Sequence, residues 1–163
     1  MVDIVYGMGI TDIIRDFPSI FSMLTKYMSI KLFKSQPFIY GSADIINVCN
    51  LHCSHCYWWK TRRNEKDELS VDDWRRLIKN TFKKHHVYVV TLVGGEPLMR
   101  QDVIKAFCDE MPRRVCVVTN GTFPLPRFDK LYFYWISLDG TQQIHDSIRG
   151  KGSYEKTKKN ILE

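Results

Sequence analysis

The chain has 163 residues, and 44% of them are hydrophobic, which is enough for one domain with a sizeable core and excludes an intrinsically disordered chain. Its formal net charge of +6 predicts a basic surface, but charge alone does not choose among nucleic acid, anionic lipid and acidic protein as partners. The sequence has neither a signal-peptide pattern nor a run of roughly 18 to 20 apolar residues, so we expect neither secretion nor a membrane span.

The N-terminal part, residues 1–37, is predicted to be an amphipathic helical segment. Apolar residues between positions 10 and 33 recur at steps of three and four, as on one face of a helix. Because proline disfavours a helix interior, Pro18 is expected to divide the run into a short and a longer helix. We expect the longer helix to pack across the domain. The alternative is a peripheral membrane contact, with Lys26, Lys31 and Lys34 on anionic lipid.

Residues 38–163 alternate between apolar runs and helical patterns, which predicts one α/β domain. The predicted strands are 38–47, 87–93, 114–119 and 131–137. The predicted helices are 70–82, which Ser70 caps with Asp73 three residues later, 100–110, and a last helix from about Ser153. Because the strands are almost continuously apolar, we expect a parallel sheet covered by helices.

Polar motifs follow each of the predicted strands. They are the cysteine loop after the first strand, Gly94-Gly95-Glu96 after the second, Asn120 after the third, and Ser137 and Asp139 after the fourth. In parallel α/β sheets, ligands bind at the carboxyl ends of the strands. We therefore expect these loops to converge on one site. Each motif alone is compatible with ordinary turn chemistry, and it is their conjunction that indicates a site.

Cys49, Cys53 and Cys56 form a C-x3-C-x2-C pattern within one short loop. Structural zinc sites and ordinary four-thiolate clusters use four protein ligands. Three thiolates therefore indicate a metal centre with an open coordination position. A structural zinc site, with His52 or His55 as the fourth ligand, is the alternative.

The other two cysteines, Cys108 and Cys116, lie in apolar runs and are predicted to be small buried side chains. An odd total of five cysteines, three of them clustered, does not fit a disulfide framework. The pattern favours a reducing, cytoplasmic compartment. Tyr57, Trp58 and Trp59 follow the third clustered cysteine and are interpreted as a cover that keeps water from the metal centre.

The polar residues of the other loops offer several kinds of ligand contact. The two glycines allow a ligand to approach the backbone closely, and Glu96 offers a carboxylate to a cationic amine. The oxygen atoms of Ser137 and Asp139 suit a ribose or an amine. Arg149 can bind a ligand carboxylate through its planar guanidinium.

Together with the stretch His145–Tyr154, these motifs resemble the radical S-adenosylmethionine (radical SAM) enzymes over about residues 39–163. The stretch is most similar to the subgroup that contains peptide-modifying, sulfatase-maturing and hopanoid-adenosylating enzymes. The resemblance implies that the three cysteines bind a [4Fe-4S] cluster whose open iron is chelated by S-adenosylmethionine. It also implies the cofactor contacts: Glu96 with the backbone of Gly94 and Gly95 at the methionyl amine, Ser137, Asp139 and Asn120 near the ribose or methionyl group, and Arg149 near the carboxylate.

The fold that the resemblance implies is a partial (β/α) barrel with parallel strands, truncated after its fourth strand-helix unit and preceded by the amphipathic helical segment. We therefore expect a fragment or one half of a split enzyme, unstable or inactive alone. The fourth strand would then have an unpaired aromatic edge, which is a site for aggregation or partner binding.

The activity that the resemblance implies is reductive cleavage of S-adenosylmethionine to a 5'-deoxyadenosyl radical. This radical abstracts hydrogen from an unknown substrate, which is a peptide, a lipid or a small molecule. An electron donor such as ferredoxin or flavodoxin is implied, as is sensitivity to oxygen, and no nucleic-acid partner is expected. The alternative is a non-catalytic iron-sulfur or zinc-binding fragment that acts as an interaction module.

Overall fold

Four parallel strands form the central sheet of the structure, a computed structural model that describes residues 10–57 and 68–163. The strands lie side by side in chain order: β1 (Tyr40–Asp44), β2 (Val89–Val93), β3 (Val115–Thr119) and β4 (Phe133–Ile136). Every neighbouring pair is parallel, with Ala43 opposite Leu92 and Val117 opposite Tyr134. The predicted parallel α/β architecture is confirmed, although each strand is shorter than its apolar run.

Helices occupy the connections between the strands. The second helix, α2 (Val71–Leu77), continues directly into a π-helical segment (Ile78–Lys83). A short 3-10 turn (Pro97–Arg100) leads into α3 (Gln101–Glu110). After β4 come α4 (Gln142–Arg149), which the sequence pattern did not predict, and α5 (Ser153–Leu162), which it did.

The start of α2 confirms the predicted helix cap. The backbone N–H of Asp73 donates to Ser70 Oγ at 3.2 Å, and the backbone N–H of Ser70 donates to the Asp73 carboxylate at 3.3 Å. Two N–H groups that a helix start would leave without partners are thereby satisfied.

The hydrophobic core lies where β2 and β3 meet α2 and α3. Phe107 of α3 is fully buried, and its ring centroid lies 5.5 Å from that of Trp74 and 5.8 Å from that of Phe82. Cys108 and Cys116 are buried in the same region, as predicted, and burial raises the pKa of each thiol to about 12. Both are therefore neutral at physiological pH.

The first helix, α1 (Ile10–Phe33), is continuous, which corrects the predicted break at Pro18. A proline removes one N–H donor, but the hydrogen bonds on either side of it can still carry the helix onward. Against the domain, the described part of this helix packs only loosely, with Met23 and Ile30 lining an apolar cleft that Ile39 and Tyr88 share. None of the α1 side chains that the structure describes is buried, and Phe17 is 62% exposed. No helix within the described ranges is long and apolar enough to cross a membrane.

Candidate functional site

The loops that follow β1, β2 and β3 meet at the carboxyl edge of the sheet. The cysteine loop leaves β1 beside the loop after β2: the N–H of Gly95 donates to the carbonyl of Ile46, and the N–H of Glu96 to that of Val48, both at 2.8 Å. At the far side of β3, the N–H of Ser137 donates to the carbonyl of Thr119 at 3.0 Å. The predicted convergence of the motifs at one edge is therefore what the structure shows.

Gly94 and Gly95 are required by a close approach of two backbone segments. Gly94 has a φ of +133°, and a Cβ atom added to Gly95 would lie 2.0 Å from the carbonyl oxygen of Val48. No side chain fits at that distance. The first role of the glycine pair is thus to let the cysteine loop lie directly against the loop after β2. Their contact with a ligand stays a prediction.

Glu96 is buried, with 1% of its surface exposed. Its Oε1 accepts hydrogen bonds from Thr119 Oγ1 at 2.7 Å and the N–H of Leu98 at 3.0 Å, while Oε2 accepts from the N–H of Asn120 at 2.9 Å. Burial raises the pKa of this carboxyl, and these donors oppose the shift. Glu96 therefore connects the loop after β2 to the loop after β3, in addition to any contact with an amine.

Asn120 connects the loop after β3 to the cysteine loop. Its Nδ2 donates to Asn50 Oδ1 at 2.9 Å and lies 3.8 Å from Cys49 Sγ, and Asn50 Nδ2 donates in turn to Thr122 Oγ1 at 2.8 Å. Neither Asn50 nor Thr122 was predicted as a site residue, although Asn50 follows the first clustered cysteine and Thr122 ends the predicted motif that contains Asn120.

The three clustered thiols are half-buried. Burial raises the pKa of Cys49 and of Cys53, whereas the N–H of Leu51, 3.5 Å from Cys49 Sγ, stabilises the thiolate of Cys49. The N–H of Cys56 donates to the carbonyl of Cys53 at 3.0 Å, so the second half of the loop forms a tight turn. Within residues 10–57 and 68–163, no three Cys, His, Asp or Glu side chains already converge on one point as ligands of a single ion.

Arg149 forms a bidentate ion pair with Asp139. Its Nε donates to Oδ2 at 2.5 Å and its terminal nitrogen to Oδ1 at 3.2 Å, and both side chains are largely shielded from solvent. This pairing lowers the pKa of Asp139. The charge of Arg149 also favours the thiolate of Cys53, against the effect of burial. The two residues predicted to contact different parts of a ligand thus face each other beside the cysteine loop.

Helix α4 supports this ion pair and the cysteine loop. His145 is fully buried, its Nδ1 accepts from the N–H of Asp139 at 3.4 Å, and its ring packs edge-on against Tyr154. The N–H of Ser54, between the second and third clustered cysteines, donates to the carbonyl of Ile148 at 2.8 Å. The unpredicted helix is therefore part of the frame of the site.

Helix α5 holds the turn after β3. Thr157 Oγ1 donates to the carbonyl of Asn120 at 2.9 Å, and Asn160 Nδ2 donates to the carbonyl of Gly121 at 2.8 Å. At the start of this helix, the carboxylate of Asp146 accepts from the N–H groups of Gly152 and Tyr154, both at 2.9 Å. The stretch His145–Tyr154 thereby sets the position of α5 relative to Asn120.

Several residues that were predicted for the site lie at its surface or outside the described residues. Ser137 is partly buried at the end of β4, and Tyr57 is 69% exposed, so its ring faces solvent. Trp58 and Trp59, predicted as a cover for the metal centre, lie outside the described residues. His52 and His55, the alternative zinc ligands, are exposed.

The sequence model of the radical SAM superfamily matches residues 44–163. The chain belongs to this superfamily. Over 116 residues it is 33% identical to the Fe-coproporphyrin III synthase of Methanosarcina barkeri, and this alignment covers 66% of this chain and 29% of the synthase. Over 121 residues it is 30% identical to the mycofactocin maturase MftC of Mycolicibacterium smegmatis, covering 69% of this chain and 30% of the maturase. Both of these relatives are enzymes, one a synthase and the other a maturase.

Solved structures confirm the fold of the radical SAM core. Streptococcus suis SuiB bound to S-adenosylmethionine superposes with a TM-score of 0.59 at 20% identity, over 83% of this chain and 34% of SuiB. The enzyme anSMEcpe with bound AdoMet superposes with a TM-score of 0.54 at 17% identity, over 78% of this chain and 40% of anSMEcpe. The chain spans about a third of the length of the relatives it matches, so it contains part of the radical SAM fold.

Proposed function

We propose that this chain provides the part of a radical SAM enzyme that binds the cluster and S-adenosylmethionine, with residues 38–163 as the catalytic unit and residues 1–37 as a separate helical segment. One observation carries the proposal. The three-cysteine loop is hydrogen-bonded to the glycine-glutamate loop and to Asn120 at the carboxyl edge of a parallel sheet, within the span that matches the superfamily.

The donor set fits a [4Fe-4S] cluster. Cys49, Cys53 and Cys56 provide three thiols on one loop, and N–H donors already lie near the sulfur of Cys49, as hydrogen bonds to cluster sulfurs require. A structural zinc site normally uses four protein ligands, whereas this loop offers three thiols. The match to the radical SAM superfamily over residues 44–163 favours the cluster over the zinc alternative.

When bound, the cluster would supply the electron that cleaves S-adenosylmethionine to the radical that abstracts hydrogen from the substrate. The residues of this chain bind and orient. Cys49, Cys53 and Cys56 ligate iron, and the backbone of Gly94 and Gly95 with Glu96 receives the methionyl amine. The remaining contacts with S-adenosylmethionine are made by Asn120, Ser137, Asp139 and Arg149. Since the carboxylate of Glu96 is already bonded on both oxygens, backbone carbonyls of its loop are the better placed acceptors for the amine.

The similarity to known proteins indicates the cofactor more narrowly than it indicates the class of substrate. The relatives include a mycofactocin maturase, a sporulation killing factor maturation protein and tetrapyrrole synthases, and SuiB has been solved bound to its precursor peptide SuiA. We propose a peptide or small-molecule substrate and a ferredoxin- or flavodoxin-type electron donor. Thiolate ligation and oxygen sensitivity are consistent with a cytoplasmic location.

Anaerobic reconstitution with iron and sulfide tests the proposal. The electron paramagnetic resonance spectrum of the reduced chain should show a [4Fe-4S] signal that changes when S-adenosylmethionine is added. Cys53→Ser should abolish the signal, and the matched control Cys108→Ser, buried in the core, should retain it. A colourless protein that retains zinc would refute the proposal.

An interaction module that binds the cluster without turnover is the second candidate. It predicts the same resonance signal, but no 5'-deoxyadenosine when the reduced protein is incubated with S-adenosylmethionine. Product analysis therefore separates the two functions.

A further inference from the structure

The side chains of Asn50, Asn120 and Thr122 form a closed ring of hydrogen bonds beside Cys49. Asn120 Nδ2 donates to Asn50 Oδ1 at 2.9 Å, and Asn50 Nδ2 donates to Thr122 Oγ1 at 2.8 Å. Thr122 Oγ1 donates in turn to Asn120 Oδ1 at 2.6 Å, which closes the ring. Each bond of such a ring polarises the next one, so the three bonds reinforce one another.

A backbone group fixes the direction of every bond in this ring. The backbone N–H of Thr122 also donates to Asn120 Oδ1, at 2.9 Å. Because a backbone N–H can only donate, the oxygen of the Asn120 amide has to lie on this side and its NH₂ group on the other. The Asn120 NH₂ group then faces Asn50 Oδ1, and the Asn50 NH₂ group donates to Thr122. The orientation of the Asn120 amide is thereby determined by its surroundings.

The Asn120 amide uses its full capacity for hydrogen bonds. An amide oxygen can accept two and an amide nitrogen can donate two. The oxygen accepts from the backbone N–H and from the hydroxyl of Thr122. The nitrogen donates to Asn50 and to Cys49 Sγ, which lies 3.8 Å away, a hydrogen-bond distance for the large sulfur atom. The amide thus retains no hydrogen bond for S-adenosylmethionine, and it would contact this cofactor by packing.

The backbone of Asn120 is held as firmly as its side chain. Its N–H donates to the buried carboxylate of Glu96, and its carbonyl accepts from Thr157 Oγ1, both at 2.9 Å. Only 7% of the surface of Asn120 is exposed. The NH₂ group is therefore a fixed dipole that is shielded from water and directed at Cys49. Such a dipole acts more strongly on a charge than a mobile one in solvent does.

The sulfur of Cys49 has N–H donors from two separate parts of the chain. The N–H of Leu51, at 3.5 Å, belongs to the cysteine loop itself, whereas Asn120 belongs to the loop after β3. A hydrogen bond to a cluster sulfur stabilises the reduced cluster, which has the larger negative charge, and so raises the reduction potential. A substitution can remove the Asn120 donor and leave the backbone donor in place.

We propose that Asn120 raises the reduction potential of the cluster by donating to the sulfur of Cys49, and that Asn50 and Thr122 are positioning residues that hold its amide in this orientation. The inference rests on the proposed function, because the hydrogen bond has this effect only on a bound cluster. It gives Asn120 a role other than binding S-adenosylmethionine, and it adds two residues to the site.

A redox titration of the reconstituted chain without S-adenosylmethionine tests the role of Asn120. Dithionite supplies the electrons under argon, and electron paramagnetic resonance measures the reduced fraction. Asn120→Leu removes the donor at nearly unchanged size. The equilibrium constant for reduction should fall about tenfold, as expected for the loss of one hydrogen bond to a charged group. For a one-electron couple, this is a midpoint lower by about 59 mV.

Asn160→Leu is the matched control. Asn160 Nδ2 donates to the backbone carbonyl of Gly121 at 2.8 Å, so it supports the same turn as Asn120 without the contact to Cys49. The midpoint of this variant should equal that of the unchanged protein. If Asn120 only braced the turn, the two substitutions would shift the midpoint equally.

Substitutions of Thr122 and Asn50 test the positioning role. Thr122→Val keeps the shape of the side chain and removes the hydroxyl donor to Asn120, while the backbone N–H remains. The midpoint should fall, but by less than in Asn120→Leu, and Thr122→Ser should retain the original value. Asn50→Ala removes the acceptor of the Asn120 NH₂ group and should act like Thr122→Val. Circular dichroism and iron content check that each variant is folded and loaded.

Three outcomes would overturn the inference. The first is an equal shift in Asn120→Leu and Asn160→Leu. The second is an unchanged midpoint in Asn120→Leu or, if that variant does not fold, in Thr122→Val and Asn50→Ala. The third is weaker binding of S-adenosylmethionine by Asn120→Leu at an unchanged midpoint, which would make Asn120 a cofactor contact.

Failure of this inference can be told apart from failure of the proposed function. If the unchanged chain forms no [4Fe-4S] cluster, both are wrong. If the cluster forms and its signal responds to S-adenosylmethionine, but the midpoint does not depend on Asn120, only this inference is wrong.

Discussion

The N–H of Asn120 donates to the carboxylate of Glu96 at 2.9 Å, so that the loops after β2 and β3 are joined by a buried hydrogen bond. The same asparagine reaches Asn50 beside Cys49. A single chain of polar contacts thus runs from the carboxylate to the cysteine loop. The position of the first cysteine therefore depends on a residue two strands away.

Glu96→Gln should destabilise the fold. Both carboxylate oxygens of Glu96 accept hydrogen bonds, and the substitution replaces one oxygen by an NH₂ group, which would face a donor instead of accepting from it. We expect a loss of about 1 to 3 kcal/mol, measured by urea unfolding. Glu155→Gln, exposed on α5, is the control and should be near neutral. Unchanged stability of Glu96→Gln would show that the carboxylate does not brace the loops.

The pH dependence of stability should also change in Glu96→Gln. Burial raises the pKa of Glu96 in the folded state above its ordinary value of 4.5, so the folded chain binds the proton more tightly than the unfolded chain. This group therefore contributes stability below pH 4.5 that is lost as the pH rises through the folded pKa. The difference in unfolding free energy between the unchanged protein and Glu96→Gln should shrink over that window. A difference that grows with pH would contradict the raised pKa.

Gly95→Ala should displace the cysteine loop. Its Cβ would lie 2.0 Å from the carbonyl oxygen of Val48, and we expect a loss of about 3 kcal/mol or more together with reduced iron content after reconstitution. Gly150→Ala is an informative control, because Gly150 has a φ of +107° but no atom within 4 Å of an added Cβ. It should cost only the backbone strain of alanine at this positive φ, about 1 to 3 kcal/mol, and leave the iron content unchanged.

A double-mutant cycle on Asp139 and Arg149 should reveal coupling. The pair is two-pronged and partly shielded from solvent, so we expect an interaction of about 1 kcal/mol between Asp139→Asn and Arg149→Gln. The lowered pKa of Asp139 means that its contribution is present above the unfolded pKa and is lost as the pH falls through the folded pKa. The coupling should accordingly disappear in acid. Strict additivity at neutral pH would show that the pair does not stabilise the site.

Thr157→Val should loosen the turn after β3 while keeping the shape of the side chain. It removes the hydrogen bond from Thr157 Oγ1 to the carbonyl of Asn120 and leaves that carbonyl without this buried donor. We expect a loss of about 1 to 2 kcal/mol in thermal or urea unfolding. Thr141→Val, at an exposed position whose hydroxyl makes no capping bond to α4, should change stability by much less. Equal effects of the two substitutions would exclude a specific role for Thr157.

Much of the fold follows from local sequence patterns. Continuous apolar runs predicted the four parallel strands, because strands buried on both faces leave no room for polar alternation. The Ser70 and Asp73 pair predicted the start of α2, since the capping contacts are made within four residues of the chain. The cysteine spacing and the motifs after the strands also indicated the site and the family. This inference requires only the order of residues along the chain and the rule that loops converge at the carboxyl edge of a parallel sheet.

What the tertiary structure decided depends on distant partners. The helical pattern of α1 fits equally a core helix and a surface helix, and only the exposure of its apolar side chains distinguishes the two. From the sequence alone, a glycine pair followed by a glutamate can indicate either a ligand site or a place where two backbone segments lie in contact. Only folding brought the carbonyl of Val48 against Gly95, and the N–H of Asn120 against Glu96. Local periodicity encodes secondary structure, whereas burial and hydrogen-bond partners arise from residues far apart in the chain.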